Sequence, residues 1–414
     1  MEFRRERYLQ QLIDGMESPL IKVVTGIRRC GKSYLLFTLF YRYLREQGVA
    51  EDHILRIALD DMENAALREK TVLFRFIKSK IVDSGRYFLL LDEIQYVEGF
   101  EDVLNSMLHI PNVDTYVTGS NSKFLSSDII TEFRGRSDEI RVFPLTFREY
   151  YEGLGGDKRD RLEEYMRFGG LPIVALMASD EKKMRYLKEV GEKIYLSDLK
   201  QRHNIKNSVE FDELLDILAS GIGSLTNPQK LSDTFRTVSH TVIGAKTIKT
   251  YLDYYIDAFI IGRARRYDIK GKKYISSPAK YYFSDIGLRN ARIDFRQIEK
   301  THIMENIIYN ELLVRGFQVD VGVVEVNARN ESGNGIRKQL EVDFVANKGY
   351  ERYYIQSAYG FSEESKREQE KASLRNIFDS FERVIVTGET MTPYRDDNGY
   401  RIEGLIHFLL ADFC

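Results

Sequence analysis

The stretch GIRRCGKS, residues 26–33, constrains the fold of this chain more than any other feature. It lies between the β-branched run Leu20–Gly26 and a helix-like apolar run that starts at Ser33 and stops at Gly48. A strand, Gly-x-x-x-x-Gly-Lys-Ser and a helix in this order are the pattern of a phosphate-binding loop, or P-loop. Its glycines let successive N–H groups point inward at phosphate oxygens, and the helix adds the positive end of its dipole. The pattern predicts an α/β fold with a nucleotide site.

Two side chains of the loop have separate expected roles at a nucleoside triphosphate. Lys32 supplies a mobile charge for the β- and γ-phosphates, and the Ser33 hydroxyl is a ligand for Mg²⁺. We therefore predict ATP and Mg²⁺ as ligands. The residues expected to contact the nucleotide are Gly26, Ile27, Arg28, Arg29, Cys30, Gly31, Lys32, Ser33 and Tyr34.

A second buried strand, RYFLLLDEIQYV, ends in the carboxylates Asp92 and Glu93. In α/β sheets, ligands bind at the carboxyl ends of the strands. Asp92 is therefore expected to hold Mg²⁺ through water, and Glu93 to polarise the attacking water as general base. Acids at a strand end also serve as caps, but two of them downstream of a P-loop favour the catalytic interpretation.

Two further segments are candidates to complete a hydrolytic site. The strand DTYVTGSNSKFL ends in small polar residues. There Asn121 or Ser120 orients the water, unless the segment is a plain polar turn. Arg134 and Arg136 flank a glycine before another short strand. Either of them acts as an arginine finger on the γ-phosphate of a neighbouring subunit, or lies in solvent or in an ion pair. The finger interpretation implies a homo-oligomer.

Four segments together resemble a widespread prokaryotic family of AAA+-class ATPases: GIRRCGKS, LLLDEIQ, VTGSNS and GRSDEIRVFPLTFREY. Members of this family carry a Gly-x-Arg-Arg-x-Gly-Lys-Ser/Thr loop, a DEIQ acidic motif and a C-terminal region of unknown function. The resemblance implies an AAA+-like P-loop NTPase core over residues 1–150. The following helical periodicity, with the family's GGLP motif, suits a helical lid over residues 151–207. Cys30 is expected to be a small filler, with a redox role as the alternative.

Residues 208–295 predict three helices followed by a strand pair, the pattern of a winged helix-turn-helix. From Thr226 to Lys280 there are 11 Lys and Arg residues against 4 Asp and Glu residues, inside a chain of net charge −2. This local excess suits phosphate contacts with duplex DNA, although winged helices also dock proteins. The candidate DNA contacts are Lys246, Lys249, Arg263, Arg265, Arg266, Lys270, Lys272 and Lys273.

The last region, 296–414, resembles an α/β restriction-endonuclease-like domain of the PD-(D/E)xK type. Glu305 on a helix, Asp343 on a strand and Gln356 on the next strand match its layout. In such domains carboxylates bind Mg²⁺ and a lysine assists the attacking water. Ala358 stands at the lysine position here, and Gln356 is a neutral ligand. We therefore expect a degenerate, non-cleaving domain with at most a weak divalent site at Glu305, Asp343 and Gln356.

Length and composition narrow the class of protein. The chain has 414 residues, enough for two or three domains. Its two cysteines, Cys30 and Cys414, exclude a disulfide scaffold and suit a reducing cytoplasm. No apolar run approaches the roughly 20 residues that cross a bilayer, and the N-terminal residues lack the apolar segment of a signal peptide.

The sequence thus predicts a cytoplasmic ATPase, without a membrane role, that couples its nucleotide state to DNA through a winged helix and a nuclease-like domain. A partner protein is the alternative to DNA. One rival prediction is an ATP-dependent nuclease. The other is a nucleotide-gated protein-interaction switch, of the toxin–antitoxin or defence type, that does not bind DNA.

Overall fold

In a computed structural model of the chain, the structure describes residues 2–119, 133, 135–296, 298–329, 335–361 and 363–412. They belong to two compact units. The first unit consists of Met1–Pro144, Leu171–Ile173 and Asp257–Phe259, and the second of Leu145–Gly170, Val174–Ile256 and Ile260–Cys414. The finer division of the chain into four parts, at 150, 207 and 295, stays a prediction.

The first unit is built on a five-stranded parallel sheet with the strand order β2-β3-β4-β1-β5. β1 and β3 are buried along their whole length, which explains why both sequences are apolar runs rather than alternating patterns. The predicted α/β architecture with a parallel sheet is confirmed. The strands are β1 (Ile21–Thr25), β2 (Ile54–Ala58), β3 (Tyr87–Asp92), β4 (Val113–Thr118) and β5 (Ser137–Arg141).

Helices flank this sheet. The P-loop leads into one helical segment made of three consecutive parts, with a π-helical stretch at Leu35–Phe40 between two α-helical parts. The helices are α1 (Glu6–Asp14), α2 (Lys32–Tyr34), α3 (Tyr41–Glu46), α4 (Lys70–Lys80) and α5 (Phe100–Met107). Short 3₁₀ turns lie at Gly15–Glu17, Glu51–His53, Met62–Arg68 and Ile94–Tyr96. One core cluster joins α4 and α5 to the sheet through side chains that include Leu73, Ile77, Leu89, Leu91, Phe100, Leu104 and Val117.

The strand order decides which loops meet. β4 lies between β1 and β3 in the sheet, although it follows β3 in the sequence. Because these strands run parallel, Thr25, Asp92 and Thr118 end at the same edge of the sheet, which we call the carboxyl edge. The P-loop and the acidic motif therefore leave the sheet side by side, with the end of β4 between them.

A buried ion pair ties β1 to β4 inside the sheet. The Lys22 ammonium lies on the Asp114 carboxylate, both side chains are almost fully buried, and Arg86 binds the second Asp114 oxygen at 3.0 Å. Burial lowers the pKa of Lys22 and raises the pKa of Asp114, and the attraction between the two groups opposes both shifts. Each charge therefore depends on the other for compensation.

The second unit contains an eight-stranded mixed sheet with the order β12-β13-β11-β10-β9-β8-β6-β7. Its parallel pairs are β6–β8, β10–β11 and β11–β13, and the other neighbours run antiparallel. The strands are β6 (Ile261–Asp268), β7 (Lys273–Phe283), β8 (Gln318–Arg329), β9 (Gly335–Lys348), β10 (Glu351–Ala358), β11 (Glu382–Thr387), β12 (Tyr394–Arg395) and β13 (Arg401–Gly404).

The helices of the remaining chain begin at recognisable caps. Thr146 and Glu149 form a reciprocal capping box, and Asn227 caps a helix whose first residue is Pro228. The helices are α6 (Phe147–Leu154), α7 (Lys158–Phe168), α8 (Pro172–Ala175), α9 (Asp180–Glu189), α10 (Ser197–Arg202), α11 (Ser208–Ser220), α12 (Pro228–Thr234), α13 (Ala245–Asp257), α14 (Ile286–Arg292), α15 (Lys300–Val314), α16 (Glu364–Arg375) and α17 (Leu405–Leu410). π-Helical stretches lie at Val190–Leu196 and Phe235–Ser239. None of the described helices is long and apolar enough to cross a membrane.

The predicted three helices and strand pair occur in order as α11, α12, α13 and the β6–β7 hairpin. The hairpin, however, is joined to the C-terminal strands, because β6 pairs in parallel with β8 at Arg266 and Val321. A boundary at residue 295 thus separates strands that share one sheet. The winged-helix assignment stays a prediction.

Candidate functional site

The P-loop has the backbone that a tight phosphate-binding turn requires. Gly26 and Gly31 have φ angles of 134° and 99°, and Arg29 between them has a φ of 65°. A Cβ atom on Gly26 would lie 2.1 Å from the Val142 carbonyl oxygen, so no larger residue fits there. The sequence therefore needs glycine at this position for space as well as for φ.

Two side chains fix the loop from within. The Cys30 thiol is fully buried and donates to the Val142 carbonyl oxygen at 3.4 Å, so it packs as a filler. The Lys32 ammonium is buried and donates to the carbonyl oxygens of Gly26 at 2.9 Å and Ile27 at 3.1 Å. The cation therefore lies over the loop itself, and its contact with phosphate stays a prediction.

Three other predicted loop residues, Arg28, Arg29 and Tyr34, are at least partly exposed. Arg28 is half-buried and Arg29 is exposed. The Tyr34 hydroxyl donates to a Glu2 carboxylate oxygen at 2.9 Å, at the surface of the unit. Contacts of these three side chains with nucleotide stay a prediction.

Asp92 lies at the carboxyl edge in contact with the first residues of α2. Its buried carboxylate accepts a hydrogen bond from the Thr118 hydroxyl, and the Ser33 hydroxyl lies near enough to lower its pKa. Burial raises the pKa of Asp92, as do the nearby charges of Glu93 and Asp60, while the two hydroxyls oppose the rise. A carboxylate and a hydroxyl are oxygen ligands that Mg²⁺ prefers, and a divalent cation relieves the cost of the buried charge. Ser33 and Asp92 therefore fit a magnesium site.

Glu93 follows in a backbone conformation that non-glycine residues rarely adopt, with φ 53° and ψ 47°. Its N–H donates to the Thr118 hydroxyl at 3.0 Å, and its carboxylate accepts a hydrogen bond from the Gln95 amide. Strained backbone of this kind concentrates at functional sites, where the surroundings hold it in place. Thr118 thus links the Asp92 carboxylate to the Glu93 backbone through one oxygen atom.

Two residues that hydrogen-bond the acidic motif, Thr118 and Gln95, have no role assigned from the sequence. Thr118 bridges the acidic motif, and Gln95 is buried with its side chain on Glu93. The signal for Gln95 was its place in the DEIQ segment, two residues after the acid. The signal for Thr118 was weaker, because its pairing depends on β4 lying beside β3.

Of the remaining predicted residues of this site, the one in the described part of the chain does not lie at the carboxyl edge. Asn121 and Arg134 lie outside the described residues. Arg136 is exposed, and its carbonyl oxygen accepts from the N–H of Ile21, at the start of β1. Because β5 runs parallel to β1, Arg136 lies at the opposite edge of the sheet from the P-loop of its own chain.

The fold and this site are those of a P-loop domain. Residues 18–151 match the family model described as "AAA domain". Residues 159–299 match a second model, described as "Domain of unknown function (DUF8612)".

Comparisons over the whole chain identify its family. An uncharacterized protein of Haemophilus influenzae is 35% identical over 392 residues, which cover 93% of each chain. The uncharacterized protein MJ1544 of Methanocaldococcus jannaschii is 28% identical over 375 residues, or 87% of this chain and 79% of that one. The Walker-type ATPase PABY2304 of Pyrococcus abyssi is a similar solved structure, with a TM-score of 0.49, 17% identity and coverage of 70% of this chain and 96% of that one. The chain belongs to the same family as the Haemophilus protein.

The predicted DNA contacts are spread over α13 and the β6–β7 hairpin. Arg265, Arg266 and Lys270 each contact a neighbouring side chain or carbonyl group of the second unit, and the Arg263 charge acts to lower the pKa of the nearby Tyr281 phenol. Four exposed lysines form no ion pair with any residue that the structure describes: Lys246, Lys249, Lys272 and Lys273.

At the predicted second metal site, a lysine ammonium group lies between two of the expected metal ligands. Glu305 and Asp343 are both buried, and both lie on the ammonium group of Lys280, at 2.7 and 3.4 Å. The Gln356 side-chain oxygen accepts from the Asp343 N–H at 3.4 Å. The three predicted residues are therefore neighbours, but a lysine that the sequence did not predict for this site lies among them.

Proposed function

We propose that this protein binds MgATP at the P-loop and hydrolyses it. One observation supports the proposal above the others. The Thr118 hydroxyl hydrogen-bonds both the Asp92 carboxylate and the Glu93 N–H, and the Ser33 hydroxyl at the start of α2 lies near enough to Asp92 to lower its pKa. The reduced, buried Cys30 thiol inside the loop suits the cytoplasmic location that we also propose.

Each group at this site has one task in the proposed reaction. Lys32 and the loop amides hold the phosphates, and Ser33 and Asp92 hold the metal, directly and through water. Magnesium, when bound, neutralises the charge of the phosphates. Glu93 accepts a proton from the attacking water, and its own carboxylate is oriented by Gln95.

The test compares ATP turnover and ATP binding in two variants. Glu93→Gln should lower kcat by about 10²–10⁴-fold, the usual contribution of a general base, while ATP still binds. Lys32→Ala should lose ATP binding as well, because the phosphates lose their cation. Phosphate release measures turnover, and calorimetry measures binding.

Glu98→Gln is the matched control, because Glu98 is an exposed carboxylate five residues further along the chain. It should turn over at the wild-type rate. If Glu93→Gln hydrolyses ATP as fast as the Glu98→Gln protein, Glu93 is not the base. If the wild type binds no ATP, the proposed function is wrong altogether.

We further propose that Arg136 acts on the site of a neighbouring copy. Its exposure at the edge of the sheet opposite to the P-loop supports action between subunits rather than within one. Arg136→Ala and Lys32→Ala should each be inactive alone. A mixture of the two should regain activity, because the Lys32→Ala subunit still offers its arginine to the intact site. If the two variants form a mixed oligomer and its ATPase activity is no higher than that of either variant alone, the proposal is contradicted.

We also propose that the second unit engages DNA phosphates. The excess of basic residues over α13 and the β6–β7 hairpin supports this, and so do the four unpaired lysines. The main chain of Thr226 forms two 2.9 Å hydrogen bonds with Ala279 of β7. These bonds tie the segment between α11 and α12 to the hairpin, as expected for one packed module.

Fluorescence anisotropy with a duplex, at several salt concentrations, tests this second proposal. Replacing the four exposed lysines, Lys246, Lys249, Lys272 and Lys273, by Gln should weaken DNA binding. It should also reduce the magnitude of the slope of log K against log salt by roughly 3 to 4. The matched control neutralises exposed lysines elsewhere in the unit: Lys158, Lys182 and Lys366. Absence of duplex binding at low salt, with ATPase activity intact, would favour the protein-interaction switch.

A further inference from the structure

A group of four charged side chains, three of them buried and Glu341 half-buried, lies in the second unit, and we call it the Lys280 cluster. It consists of Lys280 on β7, Glu305 on α15, and Glu341 and Asp343 on β9. The Lys280 Nζ atom lies 2.7 Å from a Glu305 oxygen, 2.7 Å from a Glu341 oxygen and 3.4 Å from an Asp343 oxygen. The lysine side chain is only 4% exposed. One cation therefore sits among three carboxylates from three elements.

The geometry satisfies the ammonium group completely. A lysine ammonium has three N–H donors and no acceptor, and here each donor has one carboxylate oxygen. The Tyr282 hydroxyl adds a further hydrogen bond to the same Glu305 oxygen at 2.6 Å. Burial opposes the charge on Lys280, but the three carboxylates outweigh it, so the pKa of Lys280 is raised. The group stays an ammonium cation at every physiological pH.

The second Asp343 oxygen and the Gln356 side chain have protein partners of their own. The second Asp343 oxygen accepts from the Ser357 N–H at 2.9 Å. The Gln356 amide donates to a Glu370 oxygen at 2.9 Å, while its oxygen accepts from the Asp343 N–H. Within the described part of the chain, no group of three His, Cys, Asp or Glu side chains is arranged to hold a metal ion. The residues therefore do not fit the Mg²⁺ that the nuclease resemblance implied.

We propose that Lys280 is the resident cation of this nuclease-like site. Its ammonium group takes the place among Glu305, Glu341 and Asp343 that a divalent ion would need. A second cation at this position is repelled by the first. The Lys280 cluster consequently binds no divalent metal, and the domain does not cleave DNA by a metal-dependent route. This inference does not depend on the proposed ATPase activity.

The test uses thermal unfolding of the full chain without nucleotide, in EDTA and in Mn²⁺. Any change in Tm that Mn²⁺ causes in the wild type should be the same in Asp343→Asn, because neither protein has a metal site in the Lys280 cluster. Lys280→Met should unfold at a lower Tm in EDTA and regain stability in Mn²⁺, because the freed carboxylates then accept the metal. The double variant Lys280→Met with Asp343→Asn should lose that rescue. Lys338→Met, at an exposed position of β9, is the matched control and should behave as wild type.

Two results would overturn the inference. One is a Mn²⁺ site in the wild-type protein, counted by electron paramagnetic resonance, that disappears in Asp343→Asn. The other is a folded Lys280→Met variant that gains no stability from Mn²⁺. If Lys280→Met does not fold, the comparison of wild type with Asp343→Asn still decides. Supercoiled plasmid incubated with wild type and Mg²⁺ or Mn²⁺ should stay intact, and cleavage that Asp343→Asn removes would also contradict the proposal.

Discussion

Replacing Thr118 by valine is the sharpest perturbation of the proposed catalytic site. Valine keeps the shape of the side chain and removes only the hydroxyl. That hydroxyl is fully buried, donates to Asp92 and accepts from the N–H of Glu93 at 3.0 Å. Thr118→Val therefore disconnects the metal-holding carboxylate from the proposed base without removing either.

The magnitude follows from the two hydrogen bonds. A bond to a charged group contributes about 1.5–3 kcal/mol and a neutral one about 0.5–1.5 kcal/mol. Unfolding should therefore be easier by roughly 2–4 kcal/mol. The part that bears on turnover is the orientation of Asp92 and Glu93. Loss of such an orienting partner costs about 10–100-fold in metal affinity or activity, so kcat/KM should fall by about that factor.

Phosphate release at several Mg²⁺ concentrations measures the effect on catalysis, and urea unfolding measures the effect on stability. Half-saturation should need more Mg²⁺ in Thr118→Val than in wild type. Thr118→Ser, which keeps the hydroxyl, should retain most of the activity and serves as the control. Wild-type turnover and magnesium dependence in a folded Thr118→Val protein would refute the view that this hydroxyl organises the site.

Three further predictions concern buried charge and backbone space. Lys22→Met leaves the buried Asp114 carboxylate short of a partner and should lower the free energy of unfolding in urea by about 3–5 kcal/mol. The double variant with Asp114→Asn should lose less than Lys22→Met alone. Gly26→Ala places a methyl group 2.1 Å from a carbonyl oxygen and should weaken ATP binding in calorimetry at least about tenfold. Gly48→Ala, at a glycine that also has positive φ but open space around it, should bind ATP as wild type does. Burial and the Asp343 charge raise the pKa of Glu305 from 4.5 to about 7. Folding then favours the protonated acid, so this group's stabilisation is complete below pH 4.5 and is lost as the pH rises to about 7. Glu305→Gln should flatten that part of the stability–pH curve, and an unchanged curve would contradict the assignment.

The local parts of the first unit could be predicted from the sequence because their signals are contiguous. The P-loop pattern contains its own strand, glycines and helix, and the apolar run before Asp92 shows that β3 is buried. The order of the strands is not a local property. Only when β4 lies between β1 and β3 does the Thr118 hydroxyl meet Asp92 and Glu93, so the bridge could not be read from the spacing.

In the second unit, even more of the structure depends on strand pairing that the sequence does not show locally. The helices and the hairpin were predicted in order, but the pairing of β6 with β8 joins residues more than 50 positions apart. The missing lysine at position 358 was evident in the sequence, whereas the lysine that lies among the carboxylates comes from β7. A search limited to the expected triplet could not find Lys280, because nothing near it in the sequence marks it as different from the surrounding basic residues.

The two ends of the eight-stranded sheet bear on how copies of the chain can associate. β12 has only two residues, Tyr394 and Arg395, and β7 at the other end carries the exposed Lys273 and includes Pro278, which has no N–H to offer. Short, charged and proline-containing border strands discourage main-chain pairing with a foreign strand. At high protein concentration, copies of the chain should therefore not form fibrils through the border strands of this sheet. A ring of copies that involves this sheet must be held by side-chain contacts rather than by main-chain hydrogen bonds between strands.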